Sequence, residues 1–191
     1  AAQQAFNKYQ DYLMNPNTPI TADQLDIINA ALNVVVPEGV TGIKTGLFSG
    51  VTTDADGNIS SISGMKPDTS IESITFNSIE HFEPYTISGC KSLKALFVQG
   101  GAQQVDDYAF AYAYTTQNPD VGSDSKLEML SFTNGGEVVG NYAFQNHPNL
   151  TDVTISPQVT TMGLRPFKDC MALENISFGG GPYFTCEGYI I

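Results

Sequence analysis

The sequence predicts a repeat solenoid built from short parallel strands, because apolar residues recur at one fixed spacing. Leu127, Leu150 and Leu173 lie 23 residues apart. Phe144 and Phe167 each follow the leucine of their own unit by 17 residues. A period of about 20–30 residues is typical of a solenoid, in which each unit buries its apolar side against its neighbours. This spacing therefore predicts the fold before any local motif is considered.

Each unit predicts one short strand in the same register. Counting the first residue of a unit as position 0, apolar residues recur at positions 0, 3 and 5. These triplets are Ala31/Val34/Val36, Ile71/Ile74/Phe76, Leu93/Leu96/Val98, Leu127/Leu130/Phe132, Leu150/Val153/Ile155 and Leu173/Ile176/Phe178. Because strand residues alternate, side chains at positions 2 and 4 are expected to point away from the core. We therefore expect about six parallel strands.

Turns and insertions interrupt this repeat. Positions 7 and 8 are rich in Gly, Pro and Asn, which suit a sharp corner after the strand. Insertions are predicted near 49–70 and 113–126, and in a solenoid they lie in outer loops. In the first insertion, Asp56-Gly57 favours a hairpin turn.

The first units are expected to be the least regular. The unit at 71–92 has no Phe at position 17, and Ile87 takes that role. We apply the same expectation to the unit at 31–70, which contains the first insertion. The register nevertheless extends back to Ala31.

Residues 1–30 predict a helical N-terminal cap. Apolar residues recur at helical spacing within 5–13, and the Pro-containing stretch 15–19 ends that helix. Thr21 and Gln24 then fit the capping box of a second helix. A solenoid needs such cover over its first core layer. The predicted organisation is a cap at 1–30 and a solenoid at 31–191.

Several segments resemble the BspA-like class of bacterial leucine-rich repeats. They are VPEGVTGI at 36–43, GCKSL at 89–93, NYAF at 141–144 and FKDCMALENI at 167–176. The resemblance covers about 31–186. It implies a leucine-rich repeat solenoid, secretion or cell-surface attachment, and a role in adhesion or protein binding. The asparagine position of other leucine-rich repeats holds Gly, Gln or Ile here, which leaves the convex side unspecified.

Composition and motifs argue against several function classes. The net charge is −12 with only 8 Lys and Arg, which disfavours nucleic acid as a partner. No apolar run is long enough for a membrane span. No catalytic, cofactor or phosphate-binding motif occurs, so we expect a non-enzymatic protein without cofactors. The stretch 54–58 has the acidic character of a calcium loop but not its full ligand pattern, and a hairpin turn explains it better. No metal site is predicted.

Cysteine and histidine share one repeat position. Cys90, His147 and Cys170 each lie three residues before the first leucine of the next unit. A metal or redox site is one interpretation of this slot. Small buried side chains that fill the core are the better one, since the two cysteines are three coils apart and too distant for a disulfide. Cys186 falls outside the slot.

The outward face of the strands is the predicted contact surface. It is polar but nearly uncharged, with apolar Phe97 and Met129 in neighbouring units. The candidate ligand-contact residues are Phe97, Met129, Ser131, Thr154, Tyr112 and Tyr114, the two tyrosines forming an aromatic rim in the second insertion. The predicted function is a monomeric interaction or adhesion module that binds protein or glycan. The alternative is a structural spacer that presents another domain of a longer surface protein.

Overall fold

The computed structural model describes residues 33–36, 38–42, 52–53, 59–61, 71–88, 90–112, 123–179 and 185–186. The predicted cap at 1–30 lies outside these residues. The described residues form thirteen strands: β1 Asn33–Val36, β2 Thr52–Thr53, β3 Ile59–Ser61, β4 Ser73–Phe76, β5 His81–Phe82, β6 Ala95–Val98, β7 Gln104–Val105, β8 Met129–Phe132, β9 Val138–Val139, β10 Asp152–Ile155, β11 Thr161–Met162, β12 Asn175–Phe178 and β13 Thr185–Cys186.

The first sheet is parallel and has the predicted register. Its six strands follow the order β1-β4-β6-β8-β10-β12. Each strand covers positions 2 to 5 of its unit, so that Met129 pairs with Ala95 on one side and Asp152 on the other. Positions 3 and 5 are buried in every strand of this sheet except β12. The solenoid of short parallel strands is therefore confirmed.

A second parallel sheet, which the sequence analysis did not predict, closes the other side of each coil. Its strands follow the order β13-β11-β9-β7-β5 and are two residues long. Val105, Val139 and Met162, all at position 12, are buried from this side. Such short strands are hydrogen-bonded only to equivalent strands in adjacent coils. The core therefore lies between two stacked ladders.

A column of aromatic rings fills this core. Phe110, Phe144 and Phe167 stack at position 17, with ring centroids 5.6 Å and 5.1 Å apart. Phe82 extends the column, its ring lying 4.7 Å from that of Phe110. None of these four side chains is more than 1% exposed. Each coil thus buries its largest side chain against its neighbours rather than within itself.

The unit at 71–92 is regular, which contradicts the prediction for it. β4 pairs over all four residues with β1 and with β6. The missing residue falls in the corner between Phe76 and Phe82, and the strand register is unaffected. Ile87 is buried at 1% exposure in the predicted place. Its smaller volume is offset by Phe82, which the sequence analysis did not single out.

The first insertion contains a hairpin. β2 and β3 pair antiparallel, with Thr52 opposite Ser61 and a register irregularity beside it. The predicted hairpin is therefore confirmed. Its connecting residues 54–58, which include the predicted turn, lie outside the described residues.

Glycine is required at the corner after the strand. Gly101 and Gly135 have φ angles of 83° and 87°, in the left-handed region that favours glycine. A Cβ at Gly101 would overlap the backbone of Ser78, and one at Gly135 would lie 2.5 Å from the Ala102 carbonyl oxygen. The neighbouring coil therefore excludes any side chain at these two positions.

The outer corner is also left-handed, but without glycine. Tyr85, Tyr108, Tyr142 and Arg165 have φ angles of 59°, 60°, 54° and 44° at equivalent places in four coils. The three tyrosine rings stack, with centroids 5.6 Å and 5.1 Å apart. Each left-handed non-glycine residue costs about 1–2 kcal/mol, so this corner needs contacts that hold it.

Side chains at position 14 supply those contacts. An oxygen of Asp107 accepts the backbone N–H of Asn141 at 2.6 Å, and Asn141 Oδ1 accepts the backbone N–H of Leu164 at 2.7 Å. We call Asp107 and Asn141 the corner caps. Each cap thus joins its coil to the backbone of the next coil.

Candidate functional site

The outer face of the first sheet presents one apolar patch. Met129, at position 2 of its unit in β8, is 44% exposed. Phe97, at position 4 of its unit in β6, is half-buried. Phe97 pairs with Ser131, two residues after Met129, so the two apolar side chains are diagonal neighbours. With strands about 4.8 Å apart and a rise of about 3.3 Å per residue, their Cα atoms lie roughly 8 Å apart. We call Phe97 and Met129 the apolar patch.

The structure brings four of the six predicted contact residues onto this face. Ser131 and Thr154 are half-buried and directly opposite each other in β8 and β10. They continue the row that begins with Phe97. Together with Met129 they form a continuous surface across three adjacent strands.

The two predicted rim tyrosines do not join it. Tyr112 is 1% exposed, so its assignment to an exposed rim is wrong. Its ring packs edge-on against His147 at 6.2 Å, because the chain turns into the core before the second insertion begins. Tyr114 lies outside the described residues.

Val35 is a further apolar side chain on this face. Strand alternation places it in the outward row at position 4, but it was not among the predicted contact residues. Val35 is 40% exposed in β1, and Thr75 separates it from Phe97 along the same row.

Carboxylates border the apolar patch. Glu128 and Asp152 flank Met129, one before it in the chain and one paired to it in the next strand, and Glu174 follows one coil on. All three are exposed. Among the described residues, none of them forms an ion pair, whereas Glu72 pairs with Lys94 at 3.3 Å. This edge of the sheet is therefore negatively charged beside Met129.

The shared Cys/His slot is structural, as predicted. Cys90 and Cys170 are buried and, within the described part of the chain, belong to no disulfide. The Cys170 thiol donates to the Phe144 carbonyl at 3.2 Å, and burial raises its pKa to about 12. A thiol held in its protonated form is a poor nucleophile and a poor metal ligand.

His147 is the third member of the slot and is completely buried. Its Nε2 lies 2.7 Å from the Phe110 carbonyl oxygen, and its Nδ1 lies 2.7 Å from Ser125 Oγ. Burial lowers the pKa of His147 to about 4. Although Ser125 and His147 are in hydrogen-bonding contact, they are 2% and 0% exposed, so no substrate reaches the hydroxyl. The pair fixes the chain after the second insertion.

No group of three His, Cys, Asp or Glu side chains within the described ranges is arranged to hold a metal ion. The acidic stretch 54–58 lies outside those ranges. No helix long and apolar enough to cross a bilayer occurs in the part of the chain that the structure describes.

Comparison with known protein families gives one match. The model of the BspA-type leucine-rich repeat region matches residues 28–124 and 118–183, in six copies. These segments cover well over half of the chain. No curated protein and no solved structure gives a significant match.

Proposed function

Because the chain belongs to the BspA-type leucine-rich repeat family, we propose that it is an extracellular adhesion module that binds a protein through the outer face of its first sheet. Repeats of this family typically form protein-interaction modules without catalytic activity. Secretion or attachment at a cell surface, and a monomeric state, are part of the proposal. Glycan binding is the competing ligand class.

The observation that carries the proposal is the apolar patch on a rigid sheet. Met129 projects from β8, and Phe97 lies diagonally beside it among uncharged side chains. A parallel sheet paired over four residues per strand holds the backbone of these residues in a fixed position, so little backbone entropy is lost on binding. Large apolar side chains at the centre of a polar face are typical of binding hot spots.

The charge beside the patch favours a basic protein partner. A Lys or Arg side chain can pack its aliphatic stem against Met129 while its charged end reaches Asp152, which lies directly across in the next strand. Glu128 and Glu174 extend the same negative border. The overall charge of −12 adds long-range attraction for such a partner.

The test is binding to immobilised host matrix proteins and to a glycan array. We expect Phe97→Ala and Met129→Ala each to weaken binding by about tenfold, which corresponds to about 1.4 kcal/mol. Val138→Ala is the matched control, since Val138 is 49% exposed but lies on the second sheet. The effect of Asp152→Asn on binding is compared with that of Glu137→Gln, which removes one negative charge away from the apolar patch.

Each outcome separates the alternatives. Binding that falls with Val138→Ala but not with Phe97→Ala or Met129→Ala contradicts the chosen face. Binding on the glycan array alone assigns the other ligand class. A protein that binds nothing on either panel while supporting adhesion by a domain fused to it indicates a structural spacer.

A further inference from the structure

Both ends of the second insertion are fixed to one buried imidazole. Tyr112 precedes the ten residues 113–122 and packs edge-on against His147. Ser125 follows them and contacts His147 Nδ1 at 2.7 Å. The other nitrogen, Nε2, contacts the carbonyl of Phe110 at 2.7 Å. A single side chain in the coil 127–149 therefore contacts both ends of the insertion.

The hydrogen bonds determine which proton His147 carries. A carbonyl oxygen only accepts, so Nε2 donates to Phe110 and must be protonated. In the neutral ring Nδ1 is then an acceptor, and the Ser125 hydroxyl donates to it. Ser125 Oγ in turn accepts the backbone N–H of Leu127 at 3.3 Å. The neutral ring is thus satisfied at both nitrogens, and the chain Leu127–Ser125–His147–Phe110 runs in one direction.

A second proton disrupts this chain. Nδ1 would become a donor, and the Ser125 hydroxyl, which now donates to it, would have to turn away and accept instead. The positive charge would lie in a fully buried position. Protonation is therefore favourable only after the ring reaches water, which requires the contacts with Ser125 and Tyr112 to open.

The charged and titratable neighbours do not compensate this charge. Tyr112 is neutral, since burial raises the pKa of its phenol. Asp124 forms an ion pair with Lys91 at 2.7 Å. Cys170 and Asp169 belong to the adjacent coil 150–172, whereas Cys90 belongs to the coil 71–92, two coils before His147. Neither ring nitrogen of His147 contacts a carboxylate, because Ser125 and Phe110 occupy both.

We propose that His147 is a proton-sensitive clamp, and that mild acid weakens its contacts with the two ends of the second insertion. This property is independent of the proposed binding function. It assigns a role to the one member of the Cys/His slot that titrates near neutral pH when it is exposed.

The direction and pH range of the effect follow from the protonation equilibria of His147 in its exposed and buried states. Histidine exposed by opening has the ordinary pKa of about 6.5, whereas burial lowers the folded value to about 4. The folded pKa is depressed, so the clamp is fully closed above about pH 6.5 and weakens as the pH falls towards 4. Between pH 7.5 and pH 5 the opening equilibrium should rise about 30-fold.

Amide hydrogen exchange in the whole chain tests this directly. The reporting amides are those of Leu127, which donates to Ser125 Oγ, and Tyr112, which donates to the Gln145 carbonyl at 2.9 Å. The reference amide is Gly140, which donates to the Val105 carbonyl away from the clamp. After correction for the intrinsic rates, we expect protection at Leu127 and Tyr112 to fall about 30-fold at pH 5, with Gly140 unchanged.

The chain contains one other histidine, which provides a matched control. His81 is exposed, and its Nε2 lies 2.8 Å from Asp106 in the second sheet. His81→Gln should keep the pH response, and His147→Gln, which retains a donor and an acceptor without titrating, should abolish it. A response that persists in His147→Gln overturns the proposal.

A second measurement on the unmodified protein guards against misfolding of the variant. Of the two imidazole resonances in the NMR spectrum, the one that belongs to His147 should not titrate between pH 8 and 5.5 in the closed state. If the His147 resonance titrates with an ordinary histidine pKa, the imidazole is accessible and the clamp does not exist.

Discussion

The coils 71–92 and 127–149 reach the same strand pairing with different side chains and different lengths. The shorter coil places a large ring at Phe82 and a smaller side chain at Ile87. The longer coil reverses this arrangement, with Val139 in the second sheet and Phe144 at position 17. Both arrangements are fully buried and continue the same aromatic column.

The comparison shows what the solenoid constrains and what it leaves free. The first sheet fixes the register, because a slip by one residue would turn every buried side chain outwards. A residue is lost only in the corner between the sheets, where no ladder depends on it. Core volume must be conserved within a coil, but its position within that coil is not fixed.

The largest effect should come from removing a ring of the aromatic column. Phe144 stacks against both Phe110 and Phe167, so Phe144→Ala leaves a cavity between three coils. We expect a loss of about 3–5 kcal/mol in the free energy of unfolding, measured by urea denaturation. Phe82→Ala should cost a similar amount. If it costs less than half as much, Phe82 is not the equivalent ring in the shorter coil.

The corner of the longer coil should be the next most sensitive element. Gly135→Ala combines a left-handed φ with a Cβ 2.5 Å from a backbone oxygen, and we expect it to cost about 2–3 kcal/mol. Gly39 has a φ of 86° but nothing within 4 Å of its added Cβ. Gly39→Ala should therefore cost only about 1 kcal/mol. Equal losses in thermal unfolding would show that close packing of coils adds nothing to backbone strain.

Exchanging the large residue within the shorter coil tests conservation of volume. Phe82→Val opens a cavity and Ile87→Phe overfills the neighbouring site, so each alone is destabilising. The double variant restores the arrangement of the coil 127–149. We expect it to be more stable than the sum of the single changes by about 1 kcal/mol or more in a double-mutant cycle. Strictly additive losses would argue against exchange between the two positions.

Outward residues should give the smallest effect. Met129 occupies the place that Ser73 has in the shorter coil, and it is 44% exposed. Met129→Ser should change the free energy of unfolding by no more than about 0.5 kcal/mol. The neighbouring Leu130→Ala, at 1% exposure, should cost about 2–5 kcal/mol. A large loss from Met129→Ser would mean that this surface is under structural rather than functional constraint.

The first sheet could be predicted from the sequence, because the apolar residues at positions 0, 3 and 5 of every unit determine its register. The sequence was insufficient for the second sheet, whose strands are two residues long and have only one buried position each. Phe82 was missed because the deletion in its unit shifts it off position 12. The corner caps were missed because Asp107 and Asn141 act through the backbone of the next coil, a contact with no local sequence signature.

The candidate site was predictable to a similar degree. Alternation placed Phe97, Met129, Ser131 and Thr154 on one face, as the structure has them. The prediction that Tyr112 is exposed was wrong because its position before an insertion does not show whether its side chain packs into the core or lies in the loop. Its burial depends on His147, which is 35 residues further along the chain.

The bonds of the corner caps run in one direction along the solenoid. Asp107 accepts the backbone N–H of Asn141, and Asn141 accepts that of Leu164. In both bonds the acceptor belongs to the coil that comes earlier in the chain. Backbone bonds at the same corner run the other way, since the Tyr142 N–H donates to the Leu164 carbonyl at 3.0 Å. Adjacent coils therefore satisfy each other's polar groups, and a shortened array would leave backbone donors at this corner without a protein partner.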